Sequence, residues 1–350
     1  MGEGGSAERT EGFCIDTLTP SLSRGERGQR DGAAGIMIRY FVKRLGGMLL
    51  VLLLVSLLSF AIIALVPGDP AAAFADASTT AEQLARLRHE LGLDLPIWEQ
   101  MLAWYGRLLR GDLGNSILLR RSVAQALLER LPVTLSLAAI ALVVAVALGV
   151  AAGTLAAVYR ARWPDQGVMA AALLGLSVPD FWLGLMLILL FAVRLGWLPT
   201  GGFVPPDQDP VGWLRSIALP ATTLALVQLG FIARMTRASV LDVLHQDFIR
   251  TANAKGLSRA AVLTRHALPN ALVPILTVGG IVAGALLGGA VIVEQVFSIP
   301  GVGRLIVGGI LSRDYPVIQG GLLFLAAIYL VVNFAVDLLY AAADPRIRLE

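Results

Sequence analysis

The chain has 350 residues, 56% of them hydrophobic and only 15% charged, with a formal net charge of +3. Soluble domains average about 45–50% apolar and about 25% charged residues, so this composition describes a surface that faces hydrocarbon. The small net charge carries no nucleic-acid signature. The single Cys14 excludes an internal disulfide, a Cys-ligated zinc site and an iron–sulfur cluster.

Residues 1–36 are rich in Gly, Arg and Glu and hold too little apolar material to fold alone, which makes them a disordered leader or a mis-assigned start. Met37 opens MIRYFVKRL, which runs directly into the first apolar stretch, and 37–66 is expected to be the first transmembrane helix. Its apolar part, 45–66, is too long for a signal-peptide core and stops at PGDP, a sharp breaker. A helical span needs about 20 apolar residues. Further spans are expected within a core of residues 131–350, at about 133–158, 168–193, 217–233 (shorter, with Pro220 inside), 272–293 and 319–341. None of them carries Lys or Arg in its interior. The expected fold is an all-α polytopic membrane protein with six transmembrane helices.

Basic residues near span ends set the orientation. Arg39, Lys43 and Arg44 precede the first span, Arg160 and Arg162 follow the second, and Arg346 and Arg348 follow the sixth. Arg234, Arg237, Arg250, Lys255, Arg259 and Arg265 fill the loop after the fourth. The two short loops on the other side hold only Arg194, Arg215, Arg304 and Arg313, so both termini are expected in the cytoplasm.

Segment 67–130 is then extracytoplasmic and helical. Thr80 supplies an N-cap for a helix reaching about Gly92, and a second amphipathic stretch covers 97–109. Trp98, Trp104 and Tyr105 suit the headgroup level.

Between the fourth and fifth spans, Val240, Val243, Leu244 and Phe248 fall on one side at helical spacing, with charges opposite. Gly256 suits the left-handed C′ position of that helix, Ser258 suits the cap of a second short helix, and Pro269 would close it. Two short helices would meet at a corner of small residues. Such a corner could admit a partner's groove, or be a basic inner loop that only obeys the positive-inside rule.

Intramembrane polar residues are few: Asp180, Asn333 and Asp337, with Glu294 at the outer edge of the fifth span. A charge in hydrocarbon costs at least about 2–3 kcal/mol, so each must face protein or water. Asp180 and Glu294 could meet a solute's ammonium group, with Trp182 beside them. Alternatively Pro179 kinks the helix and Asp180 bonds the freed backbone groups, while Asn333 and Asp337 bond neighbouring helices. Gly279, Gly280, Gly284, Gly288 and Gly289 permit close approach along the fifth span.

No G-x-x-x-x-G-K-[ST], H-E-x-x-H or G-x-S-x-G motif occurs, so the residues suggest no enzyme, and no cofactor is expected on this chain.

The stretch RTANAKGLSRAAVLTRHALPNALVPILTVGG resembles the cytoplasmic "EAA" loop of ABC importer permeases, in the version of the dipeptide/oligopeptide/nickel group. That pattern sets a Gly thirteen residues before a Pro, which Gly256 and Pro269 reproduce. Arg250-Thr-Ala stands in place of Glu-Ala-Ala, and His266 replaces an aliphatic residue, as in the peptide group itself. VPGDPA, LGLDLPIWEQ, GDLGNS, LPVTLSLAAIAL, SVPDFWLG, GGAVIVEQVFSIPGVGRL, DYPVIQG and VNFAVDLLYAAADPRIRL are similar to the same group, so the likeness runs from about residue 37 to the end.

The resemblance implies a permease subunit in a bacterial inner membrane, paired with a second permease. Two ATPase subunits would bind the ATP and dock below, and an extracytoplasmic solute-binding protein would deliver solute from above. Arg250, Thr251, Ala252, Asn253, Ala254, Lys255 and Gly256 resemble the coupling helix. Short peptides are the expected solute. Nickel is the alternative, although none of His89, His245 and His266 lies in a span. An ion-gradient-driven secondary transporter and a non-transporting membrane scaffold are the readings of another class.

Overall fold

The computed structural model describes residues 42–61, 80–90 and 94–343. The expected leader, the start at Met37, Arg39, the PGDP breaker, Arg346 and Arg348 lie outside the described residues. Residues 48–348 form one compact unit; the other, 1–47 with 349–350, contributes only the start of the first helix to the described residues.

Among the described residues the chain is all-α apart from one hairpin of two-residue strands. Helix α1 is Val42–Ala61. Then come α2 (Ala81–Glu90), α3 (Ile97–Leu108), the hairpin β1 (Asn115–Ser116) with β2 (Arg121–Ser122), and α4 (Val123–Val158). The short helices α5 (Trp163–Ser177) and α6 (Asp180–Leu187) precede α7 (Pro210–Leu244). The remainder is α8 (Asp247–Ala254), α9 (Arg259–Val262), α10 (Leu268–Val296), α11 (Val302–Leu311) and α12 (Tyr315–Ala343). Among the described residues, five helices are long and apolar enough to cross a membrane, and α5 with α6, which a π-helical stretch Ile188–Arg194 prolongs, makes a sixth span if the bent pair is counted as one.

The core lies where α4, α7 and α10 meet, around Leu137, Ala141, Leu224, Ile232, Val282 and Leu286. Little hydrophobic force drives helices together in lipid, so close backbone approach and packing do that work. Gly149 and Gly153 of α4 lie against Ile232, Ala233 and Thr236 of α7, and Gly230 of α7 lies against the backbone of Ala172 in α5. A methyl group at any of the three would strike atoms across the interface. Of the fifth-span glycines, Gly284 meets Tyr329 of α12 and Gly289 meets Leu224 of α7, whereas a Cβ at Gly279 or Gly288 would meet no atom of the described residues.

The third expected span is not one straight helix. α5 and α6 are bent by 106°. Val178 is extended (ψ 125°), the conformation forced on a residue preceding proline, and Pro179 starts the new helix in another direction. Gly184 then seats α6 against Phe297, Val296 and Thr223. The fourth expected span also differs in length, since α7 starts at Pro210 and continues past residue 233 to Leu244, with Pro220 inside it as expected.

Before the hairpin, Thr80 forms a reciprocal cap with Gln83: the Gln83 N–H donates to Oγ1 at 3.3 Å and Gln83 Oε1 accepts from the Thr80 N–H at 2.9 Å. α3 packs on α1 through a Ser56–Tyr105 hydroxyl bond of 2.7 Å and a Phe60–Trp104 ring contact. Trp104 is therefore buried rather than available to headgroups, whereas Trp98 stays exposed.

Candidate functional site

Three short stretches build the corner between α7 and α10. His245 and Gln246 end α7 and turn the chain into α8, so the apolar register shifts there. Ile249 and Ala252 are buried in place of Phe248, which is exposed. The expected face of Val240, Val243, Leu244 and Phe248 is thus correct for its first members and wrong for its last, because the helix breaks between them.

Gly256 has φ 78°. Its N–H donates to the Asn253 carbonyl at 3.0 Å and the Leu257 N–H to that of Ala252 at 3.4 Å, the bond pair of a Schellman stop. Open space surrounds the position a Cβ would take, so backbone conformation selects glycine there, not crowding. Two residues on, Ser258 Oγ accepts from the Ala261 N–H at 3.3 Å and starts α9.

Pro269 does not close that second helix. α9 widens into a π-helical turn at Leu263–Ala267 and continues as α10, with Pro269 in its first turn. The wider turn accommodates a ring that lacks an N–H and would crowd the preceding carbonyl.

Ile249, Ala252 and Val262 pack with Ala157 of α4, Val240 and Val243 of α7, and Ala271 and Ile275 of α10. The corner is therefore anchored on the ends of the three core helices. Arg250, Thr251, Asn253, Ala254, Lys255 and Gly256 are exposed, and Ala252 alone of the seven points inward. An Asp165–Arg237 pair braces the region: Arg237 donates from Nε and Nη2 to the two carboxylate oxygens at 2.5 and 2.8 Å. Asp165 Oδ2 also accepts from the Ala161 N–H at 2.8 Å, which fixes the α4–α5 turn. Spacing had pointed to none of this pairing, since the partners are 72 residues apart.

The other expected site residues do not form one site. Glu294 is fully buried near the end of α10, and its Oε1 accepts from the Thr134 hydroxyl at 2.6 Å. Its Oε2 accepts from the Arg304 N–H at 2.9 Å, in the first turn of α11, and Thr134 Oγ1 in turn accepts from the Val302 N–H at 2.9 Å. Glu294 thus caps a helix across the fold rather than facing a solute path, and Gly301 leaves the room its carboxylate needs. Asp180, at the start of α6, is half-buried over Gly289, and Trp182 is 48% exposed.

Another buried carboxylate, Asp314, repeats the theme. Asp314 Oδ2 accepts from Ser116 Oγ at 2.6 Å and from the Leu118 N–H at 3.1 Å, pinning the hairpin to the α11–α12 corner. Stretches such as GDLGNS and DYPVIQG, far apart in the chain, are therefore joined to each other.

Two family models match this chain. The binding-protein-dependent transport system inner membrane component covers residues 149–349, and the N-terminal domain of such membrane components covers 37–138. A Brucella melitensis protein provisionally named as a peptide transport system permease is 48% identical, over 90% of this chain and all of that one. The glutathione transport system permease GsiC of Escherichia coli K12 is 43% identical over 90% of this chain and all of that one. The di/tripeptide transport system permease DppB of Pseudomonas aeruginosa is 43% identical over 89% of this chain and 99% of that one. A chain of the inward-facing MetNI methionine ABC transporter shares the fold, with a TM-score of 0.54 at 20% identity, over 63% of this chain and 97% of that one.

Proposed function

The chain belongs to the family of binding-protein-dependent transport system inner membrane components, and on that premise we propose that it forms half of the translocation pathway of an ABC importer for short peptides. A second permease completes the pathway, two separate ATPase subunits bind and hydrolyse the ATP, and an extracytoplasmic binding protein delivers the solute. Relatives named for glutathione and for di- and tripeptides support that solute class. The chain sits in a bacterial inner membrane with both termini and the α8–α9 corner in the cytoplasm, as the positions of Arg and Lys favour.

The observation that carries the mechanism is the form of the corner. The stop at Gly256 presents exposed residues 250, 251 and 253–256 while Ile249, Ala252 and Val262 lock the same turn to α4, α7 and α10. A push on residues 250–256 by closing ATPase subunits is passed to the core helices because the anchor is apolar and packed, with no slack loop between. That is a two-state element biased by a remote ligand.

Reconstitution in vesicles with the neighbouring permease, ATPases and binding protein tests this reading. Uptake of a labelled tripeptide should require ATP and every subunit. Uptake that survives removal of the ATPases and collapses with the ion gradient would overturn it.

A further inference from the structure

A cavity of about 280 Å³ opens between the start of α4, the β1–β2 turn and α11. Arg130 and Arg304 line it together with apolar walls that include Leu118, Leu119, Leu305 and Val317. We propose that this cavity binds a carboxylate group, held by the Arg130 guanidinium with Arg304 beside it.

The nearby carboxylates are bonded elsewhere, Glu294 by the Thr134 hydroxyl and the Arg304 N–H, although it and Glu129 still attract Arg130 through space. Asp314 reaches the cavity wall, but its Oδ2 is held by Ser116 and the Leu118 N–H. Glu129, next to Arg130 in sequence, pairs with Arg121 at 2.7 Å instead. Arg304 donates from Nη1 to the Ser298 carbonyl at 2.6 Å and keeps its remaining N–H donors. Arg130 makes no hydrogen bond or ion pair with any described residue, although it is half-buried. A guanidinium placed in an apolar cavity beside a second one, attracted through space by Glu129 and Glu294 but hydrogen-bonded to no acid, favours an anion of planar, two-oxygen geometry. The size admits a carboxylate with a few attached atoms and excludes the bulk of a folded partner. Two sources share that chemistry: the terminal carboxylate of a short peptide, and an acidic side chain of the docked solute-binding protein.

The cavity is formed within this chain, so its occupancy is measurable without any ATPase and can fail while the importer reading stands. Full-length chain in detergent micelles is titrated with trialanine, trialanine amide and acetate, and separately with the solute-binding protein of the same importer. Wild type is compared with Arg130→Gln, Arg130→Lys and the control Arg121→Gln, with folding checked by circular dichroism. Binding of trialanine but not its amide, weakened at least tenfold in Arg130→Gln and partly kept in Arg130→Lys, supports the peptide carboxylate. Binding of the protein alone, with the same tenfold loss, supports the acidic side chain. Equal behaviour of wild type and Arg130→Gln toward all probes overturns the site. So does an Arg130-dependent response confined to phosphatidylglycerol vesicles, which would assign the cavity to lipid phosphate.

Discussion

The Thr134 hydroxyl donates to Glu294 across 160 residues of chain, at 2.6 Å, while accepting from the first N–H of α11. One side chain from α4 and one from α10 thereby do for α11 what a local cap does for other helices. Glu294→Ala would leave the Arg304 N–H and the Thr134 hydroxyl without their acceptor inside the protein. Each orphaned group costs about 1–3 kcal/mol. Thermal unfolding of the purified chain should show a large loss for Glu294→Ala and a smaller one for Glu294→Gln, which retains an acceptor oxygen. A transport assay should show unchanged solute affinity in the Gln variant.

Gly153 has the most restrictive environment on α4, with the Ala233 carbonyl where its Cβ would stand. Gly153→Leu forces the α4–α7 pair apart, and overpacking of this kind costs about 1–3 kcal/mol. Gly279→Leu on α10 meets open space and serves as the control. The yield of detergent-stable protein should fall for the first and hold for the second.

Arg237→Ala leaves the Asp165 carboxylate buried with only the Ala161 N–H. Removing one partner of a buried pair costs about 3–5 kcal/mol, and the low end applies because Arg237 keeps some solvent contact. The double variant Asp165→Asn/Arg237→Gln should be more stable than Arg237→Ala alone. Melting temperatures of the variants test this, and a double variant no more stable than Arg237→Ala would remove the pair from the account.

Gly256→Asn should be tolerated, since Asn accepts a positive φ, while Gly256→Val should cost about 1–2 kcal/mol through the left-handed backbone alone. Gly256→Arg adds bulk and charge at a site with free space around it, so the chain should still insert and purify. Its expected defect is loss of ATPase co-purification and of ATP-driven uptake. Normal values of both would detach the corner from the mechanism.

Local chemistry made much of this legible in the sequence. The Thr80 cap, the Gly256 stop and the Ser258 cap each depend on residues within a few positions, so spacing alone locates them. Apolar runs located the membrane-crossing helices for the same reason. What stayed hidden depends on distant partners. Glu294 read as a path residue because Thr134 and Arg304 lie on other elements, and nothing in the local pattern announces a cap delivered from afar. Pro179 announced a break but not its 106° angle, which goes with the seat of Gly184 on Phe297. Pro269 read as a terminator because a π-helical turn has no compositional signature. The Arg130 cavity joins three separate segments and left no mark in any one of them.

α7 runs unbroken for 35 residues, from Pro210 to the turn that carries α8. At 1.5 Å per residue it is a rod of about 50 Å, well beyond the roughly 30 Å of a hydrocarbon layer. Rods of that length act as levers. A tilt of about 5° about its middle swings each end by roughly 2 Å in opposite senses, so a displacement of the corner reappears, reversed in direction, at the Pro210 end of the same helix.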